Sequence, residues 1–345
     1  MELVKDIGEK GLLQKLQPFC SPEIVGDDGA VLELEPNKKL VVTTDVLVDK
    51  VHFSDRTTSA FDVGWRGATA NLSDLAAMGA TPIGITVGLS LPGDVPVSWV
   101  EELYRGLHSC LSRYQTPIVG GDITRSETIT VAITALGQVS PQRIIRRTSA
   151  RVGDAILITG YHGLSKAGLE LLLNPELGQN LTSQEKEIII RCHQQPLPRI
   201  EVLSILEEVV SDVSIAGMDS SDGLADAISQ ICQFSGVGAI IDGDNLPIHP
   251  ILLKLATLEQ ARQWTLYGGE DFELVLCLPF SVAVILTNRL GTNANIIGRI
   301  IPENKVILNY QKNQQDGDRK LEEQTRSCHQ NFREISITDS AFKHF

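Results

Sequence analysis

The chain has 345 residues, 42% hydrophobic and 21% charged, the proportions of a globular protein with room for about two cores. Its 43 acidic and 30 basic residues leave a net charge of −13, without the basic footprint expected of a nucleic-acid binder. No apolar run approaches the ~18 residues of a membrane helix, the opening MELVKDIGEKGLL lacks a secretory apolar stretch, and the six cysteines form no C-x-x-C pair, so reduced thiols and a cytoplasmic location are expected.

In chain order, VGDDGAVLEL (25–34) sets two aspartates before an apolar run that reads as a strand, and LVVTTDVLV (40–48) reads as a second strand with Asp45 inside it. Residues 60–79, with Phe61, Trp65, Ala68, Leu72, Leu75 and Ala76 at helical spacing and Gly79 at the C-terminal cap, predict a helix. IGITVGLSL (83–91) is strand-like, 98–114 helical and 128–139 strand-like, giving a mixed α/β unit over 1–150. In IVGGDIT (118–124), Gly120 and Gly121 suit a backbone that approaches phosphate oxygens closely. The basic run RIIRRTSAR (143–151) reads as a solvated loop.

A second α/β unit, 151–345, opens with the strand GDAILITG and a helix, LSKAGLELLL. Residues 184–210 look helical, interrupted by Pro196 and Pro198. MDSSDGLADAISQICQFSG (218–236) is loop then helix, 238–242 a strand, and YGGEDFELVLCLP (267–279) a glycine turn then a strand. The segment 309–330 is polar with little periodicity and reads as an exposed insertion. There is no G-x-x-x-x-G-K-[ST], and the G-x-x-G at 160–163 reads as a tight turn.

Asp28, Asp45, Asp74, Asp122, Asp219 and Asp222 each fall at a strand end, a turn or a helix of small residues. Taken singly, Asp28 reads as a turn residue, Asp222 as a helix N-cap and Asp74 as a buried, hydrogen-bonded side chain. Taken together, with no matching set of lysines, they suit hard cations, and Thr43 and Thr44 beside Asp45 add oxygens of the same kind. An acidic protein that binds a polyphosphate needs such cations to invert its local charge. The chemistry reads as Mg²⁺ plus a polyphosphate.

The motifs GDDGAVLEL, TTDVLVDKVHF, NLSDLAAMGATP, GGDITR, RRTSARVGDAILITG, DSSDGL and YGGEDFEL follow one another over residues 26–276. In this order the chain resembles the thiamine-monophosphate kinases, members of the ATP-binding superfamily that contains aminoimidazole ribonucleotide synthetase and selenophosphate synthetase. NLSDLAAMGA is common to the superfamily, whereas GDDGAVLEL with YGGEDFEL is particular to the kinases.

The resemblance implies a mixed α/β, two-domain architecture like that of aminoimidazole ribonucleotide synthetase, with the first domain's sheet pairing in a homodimer. It implies several Mg²⁺ ions held by Asp28, Thr43, Thr44, Asp45, Asp74, Asp122, Asp219 and Asp222, of which Asp74, Asp122 and Asp222 stand at the chemistry. ATP would meet Tyr104, Gly121, Asp122, Arg147 and Ser221. Thiamine monophosphate would meet His52, Glu270 and Phe342. The implied reaction, ATP + thiamine monophosphate → ADP + thiamine diphosphate, attacks with an already ionised phosphate oxygen, which accords with the lack of a Ser-His-Asp or Cys-His set. A selenophosphate- or aminoimidazole-type synthetase is the nearest alternative, the former calling for a reactive cysteine such as Cys20, and a non-catalytic nucleotide- or metal-binding module is the other. Ser220 stands in D-x-S-D where an apolar residue is expected.

Overall fold

The computed structural model describes residues 2–21, 24–25, 28–210, 213–291 and 293–310, together with the backbone of 331–334. After a kinked helix α1 (Val4–Leu16), the first half runs β1 (Lys39–Val48), α2 (Ala60–Ala77), β2 (Thr81–Leu91), α3 (Val97–Leu111), β3 (Ile118–Arg125) and β4 (Thr130–Val139). The strands form a four-stranded sheet in the order β1-β4-β2-β3, antiparallel except for β2 with β3.

Strand alternation divides this sheet into two faces. Ile85, Val87 and Ile133 are fully buried and pack with Leu72 and Leu75 of α2 and Leu103 and Leu107 of α3. The other face is open, and Leu40, Val42 and Val46 of β1 remain about half exposed. The two helices meet backbone to backbone: a Cβ at Gly106 would lie 1.8 Å from the Phe61 carbonyl, and one at Gly64 would lie 1.9 Å from that of Leu103.

One expectation fails in this half. AVLEL is not a strand; Val31 is 88% exposed, and the stretch has no ladder partner among the described residues to satisfy its backbone. The Gly120–Gly121 pair lies within β3, where a Cβ on Gly121 would lie 2.2 Å from the Val87 carbonyl. That glycine is required by the approach of a neighbouring strand.

The second half comprises β5 (Ala155–Ile158), α4 (Leu164–Leu173), α5 (Ser183–Gln194), α6 (Glu201–Val209), β6 (Ala216–Asp219), α7 (Leu224–Ser235), β7 (Gly238–Asp242), α8 (Leu252–Leu255), α9 (Leu258–Tyr267), β8 (Leu274–Leu278), α10 (Phe280–Leu290), β9 (Asn295–Ile301), β10 (Val306–Tyr310) and β11 (Asn331–Glu334). These strands form a seven-stranded mixed sheet ordered β11-β10-β7-β9-β5-β8-β6. Ile156 and Ile158 of β5 face α7, while Ala155 and Leu157 face α6 and α10. Cover on both faces explains why AILI and LVLCL are unbroken apolar runs. Of the polar segment 309–330, Asn309 and Tyr310 end β10 and are not part of an exposed insertion, and 311–330 lies outside the described residues.

Candidate active site

The two sheets meet along α2, and the meeting is polar. Ser59 caps the helix by accepting from the Asp62 amide at 3.2 Å. Asp62, Arg66, Thr69 and Ser73 recur at helical spacing, and all four are buried. Each finds a partner in the second half of the chain. Gln195 donates to Asp62 at 2.8 Å, Thr69 donates to the Pro196 carbonyl at 3.0 Å, and Ser73 donates to Asp219 at 2.7 Å. Arg66 reaches His193 and Glu270. Buried polar groups must be paired, so this stripe fixes how α2 sits against the second sheet.

Beside the seam opens a cleft of about 750 Å³, lined among others by Thr44, Asp45, Lys50, His52, Arg66, Lys166, Ser221, Asp222, Tyr267 and Glu270. One end is acidic. Burial, reinforced by the charges of Asp74 and Asp222, pushes Asp45 up to about 6. Asp219, at the end of β6, is raised by burial and by Asp74, against the hydrogen bonds it accepts from Ser73 and Ser221. Burial also raises Asp74, while Thr43, which donates to it, and the nearby Arg147 oppose the rise. The residues Thr43, Asp45, Asp74, Arg147, Asp219, Ser221 and Asp222, scattered over nearly 180 positions of sequence, thus share one electrostatic neighbourhood.

All the donor atoms here are oxygens, the chemistry of a hard divalent cation. Among the described residues no three His, Cys, Asp or Glu side chains are arranged to hold an ion by themselves. Thr44 lines the cleft, but its hydroxyl lies 2.9 Å from that of Thr134. Ser221 also bridges the ends, since its carbonyl accepts from the Glu270 amide at 2.7 Å and its hydroxyl donates to Asp219 at 3.1 Å.

The other end is paired. Arg66, 3% exposed, binds Glu270 and lies 3.1 Å from both ring nitrogens of His193. The His52 ring accepts from the Val48 amide at 3.0 Å. Glu270 and Phe272 both hold left-handed backbone, with φ of 65° and 53°, a conformation that costs a non-glycine residue of order 1–3 kcal/mol. Between them the half-buried Asp271 accepts from the amides of Gly163 and Ser165 at 2.6 and 2.9 Å, at the start of α4. That anchor holds the strained loop in place.

Several expected residues lie elsewhere. Asp122 pairs with Gly88 in register and so shares the open sheet face of Val46, opposite Asp45; Gly121 precedes it on the edge strand β3. Asp28 is exposed on the stretch before β1. Tyr104 is 4% exposed within the first core, its ring 6.0 Å from that of Phe19. None of these four lines the cleft; nor do Thr43, Asp74, Arg147 and Asp219, which adjoin its acidic end as electrostatic neighbours of Asp45 and of one another. Arg147 donates to Gln230 at 2.7 Å. Phe342 lies outside the described residues. Cys20 is no activated nucleophile, because burial raises its thiol. Sequence reasoning missed Arg66, His193 and Asp271; the polar spacing 62, 66, 69, 73 along α2 was the available signal for the first.

The family model for "AIR synthase related protein, N-terminal domain" matches residues 26–139. The chain is 45% identical to the thiamine-monophosphate kinase of Synechococcus elongatus, over 99% of this chain and 98% of that one. Its structure is similar to the crystal structure of thiamine-monophosphate kinase from Stenotrophomonas maltophilia, with a TM-score of 0.76, 32% identity and coverage of 88% and 96% of the two chains. It is also similar to the structure of AaThiL complexed with AMPPCP and TMP, with a TM-score of 0.70, 32% identity and coverage of 89% and 95%.

Proposed function

The chain belongs to the thiamine-monophosphate kinase family, and from that premise we propose that its cleft is where ATP and thiamine monophosphate meet. The protein is an ATP-dependent kinase that converts thiamine monophosphate to thiamine diphosphate. The observation that carries the assignment to this cleft is that one cavity joins an acidic end, with Asp45 and Asp222, to an end with His52 and the Glu270 that Arg66 pairs.

The acceptor is a phosphate oxygen already ionised at neutral pH, so the chain needs no general base. What it must supply is position and charge balance between two anions. Ser221 and the amides leading into α7 suit phosphate oxygens. Arg147, beside Asp74, brings a cation to the same end.

The acidic end fits Mg²⁺, which we propose is held by Thr43, Asp45, Asp74, Asp219 and Asp222, with Thr44 adding a backbone or hydroxyl oxygen. Bound there, the ions would neutralise the two polyphosphates and the charge that develops during transfer. Mg²⁺ keeps several waters and takes phosphate oxygens as ligands, so a closed protein cage is not required. Asp28 and Asp122, implied by resemblance, would have to reach such ions from outside this cleft. Glu270 and His52 suit the thiamine end, where a carboxylate complements a cationic ring.

We read the two sheets as two domains meeting near residue 150, in a cytoplasmic protein whose described cysteines are free. The open face with Leu40, Val42 and Val46 is where a second copy would pair, and elution as a dimer in gel filtration tests this. Purified protein with ATP, Mg²⁺ and thiamine monophosphate should yield ADP and thiamine diphosphate in equal amounts. ADP without thiamine diphosphate would overturn the function.

A further inference from the structure

We propose that Arg66 is a positioning residue for substrate recognition: seated on His193, it holds one oxygen of Glu270 and leaves the other to face the thiamine end of the cleft. This rests on the kinase reading above and deepens it, because it names what fixes the recognition carboxylate.

An arginine that is 3% exposed cannot be spared a partner. Arg66 has its charge partner in Glu270, and it donates to the His193 carbonyl at 3.0 Å as well as facing the ring. His193 is itself buried, and burial reinforced by Arg66 and Lys166 lowers its pKa to about 2. Its ring is therefore neutral and offers a lone pair to the guanidinium. The contacts are satisfied when Nδ1 carries the proton and donates to Ser165 Oγ at 3.2 Å, leaving Nε2 to accept from Arg66.

The contacts then close on themselves. Ser165, through its amide, is held by Asp271, the neighbour of Glu270 in the chain. Thus Glu270, Arg66, His193, Ser165 and Asp271 form a ring drawn from α2, α5, α4 and the loop before β8. Glu270 Oε1 is committed to Arg66, while its side chain remains 37% exposed and lines the cleft. Oε2 lies 3.9 Å from His193 Nδ1, beyond hydrogen-bond distance.

α2 gives the arrangement its second role. Asp74 of the acidic end lies eight residues beyond Arg66 on one helix, a rise of about 12 Å. A single rigid element thereby sets the spacing between the thiamine end and the phosphate end. A lysine at 66 would keep the charge but lose the fork that reaches His193 and Glu270 together.

The test measures wild type, Arg66→Met, Arg66→Lys and His193→Gln with thiamine monophosphate, together with inhibition by thiamine and by ADP. Arg66→Met should raise KM for thiamine monophosphate and Ki for thiamine about tenfold or more, with kcat, KM for ATP and Ki for ADP within about threefold. Arg66→Lys should recover part of the loss. His193→Gln, which loosens the seat without removing either charge, should raise KM for thiamine monophosphate about three- to tenfold and decides the matter if Arg66→Met does not fold. A folded Arg66→Met with unchanged KM, or one that loses kcat and ATP affinity in equal measure, overturns the proposal. Absence of thiamine diphosphate from the wild type would remove the kinase reading and this proposal with it; normal wild-type turnover with unmoved KM removes this proposal alone.

Discussion

The two ends of the cleft treat charge in opposite ways. At one, Asp45, Asp74, Asp219 and Asp222 crowd together with Arg147 as the nearby cation; burial raises Asp45, Asp74 and Asp219, and neighbouring carboxylates add to the rise at Asp45 and Asp219. At the other, Arg66 answers Glu270 and Lys166 answers Glu170 at 2.8 Å. Crowding buried carboxylates is expensive, and the proposed ions would offset that cost. A paired carboxylate instead is held for orientation. The contrast accords with the proposed reading, in which ions complete the acidic end and the paired end places one group accurately.

The acidic end should break most sharply. Asp74→Asn is expected to lower kcat by about 10³-fold, the scale of removing a key electrostatic stabiliser. Circular dichroism and melting of that variant should show a folded protein at least as stable without Mg²⁺, since one repelling charge is gone. Near-normal kcat at saturating Mg²⁺ would break the comparison. The paired end should respond differently: Glu270→Gln is expected to raise KM for thiamine monophosphate about tenfold and leave kcat within a few-fold, the mark of lost binding common to ground and transition states. A loss confined to kcat would instead put Glu270 at the chemistry.

The smallest effect concerns stability away from both ends. His162 is fully buried, and burial, reinforced by Arg199, lowers its pKa to about 3. A histidine held neutral contributes stability that is complete above its unfolded value near 6.5 and is lost as pH falls toward 3. Between pH 6.5 and 4 each such site should cost about 1.4 kcal/mol per pH unit. Denaturant melts of His162→Gln should show that slope reduced, and an unchanged slope would mean the ring is charged in the fold.

Much of this was legible in the sequence because it follows local rules. The helix at 60–79 showed itself by spacing and a glycine stop, and Ala60–Ala77 is helical. The buried strands AILI and LVLCL were visible as apolar runs. AVLEL looked alike yet is coil, because a strand needs a neighbour and composition does not say whether one exists. Gly120 and Gly121 suggested a close approach of backbone, but the approach of Val87 to Gly121 comes from another strand and no local pattern records it. The aspartates of the cleft were legible as a set by their small, turn-rich surroundings and by resemblance. The pairing of Arg66 with His193, 127 positions away, was not. Only the packing of α2 against α5 makes it, and no local pattern records the partner of a buried cation.

We propose that the acidic end holds divalent ions between the two phosphates. The most direct test is the anomalous map of crystals grown with Mn²⁺, a non-hydrolysable ATP analogue and thiamine monophosphate. Peaks within bonding distance of Asp45, Asp74, Asp219 or Asp222 are the predicted result. Nucleotide bound in the cleft with no peak beside any of these carboxylates would contradict it.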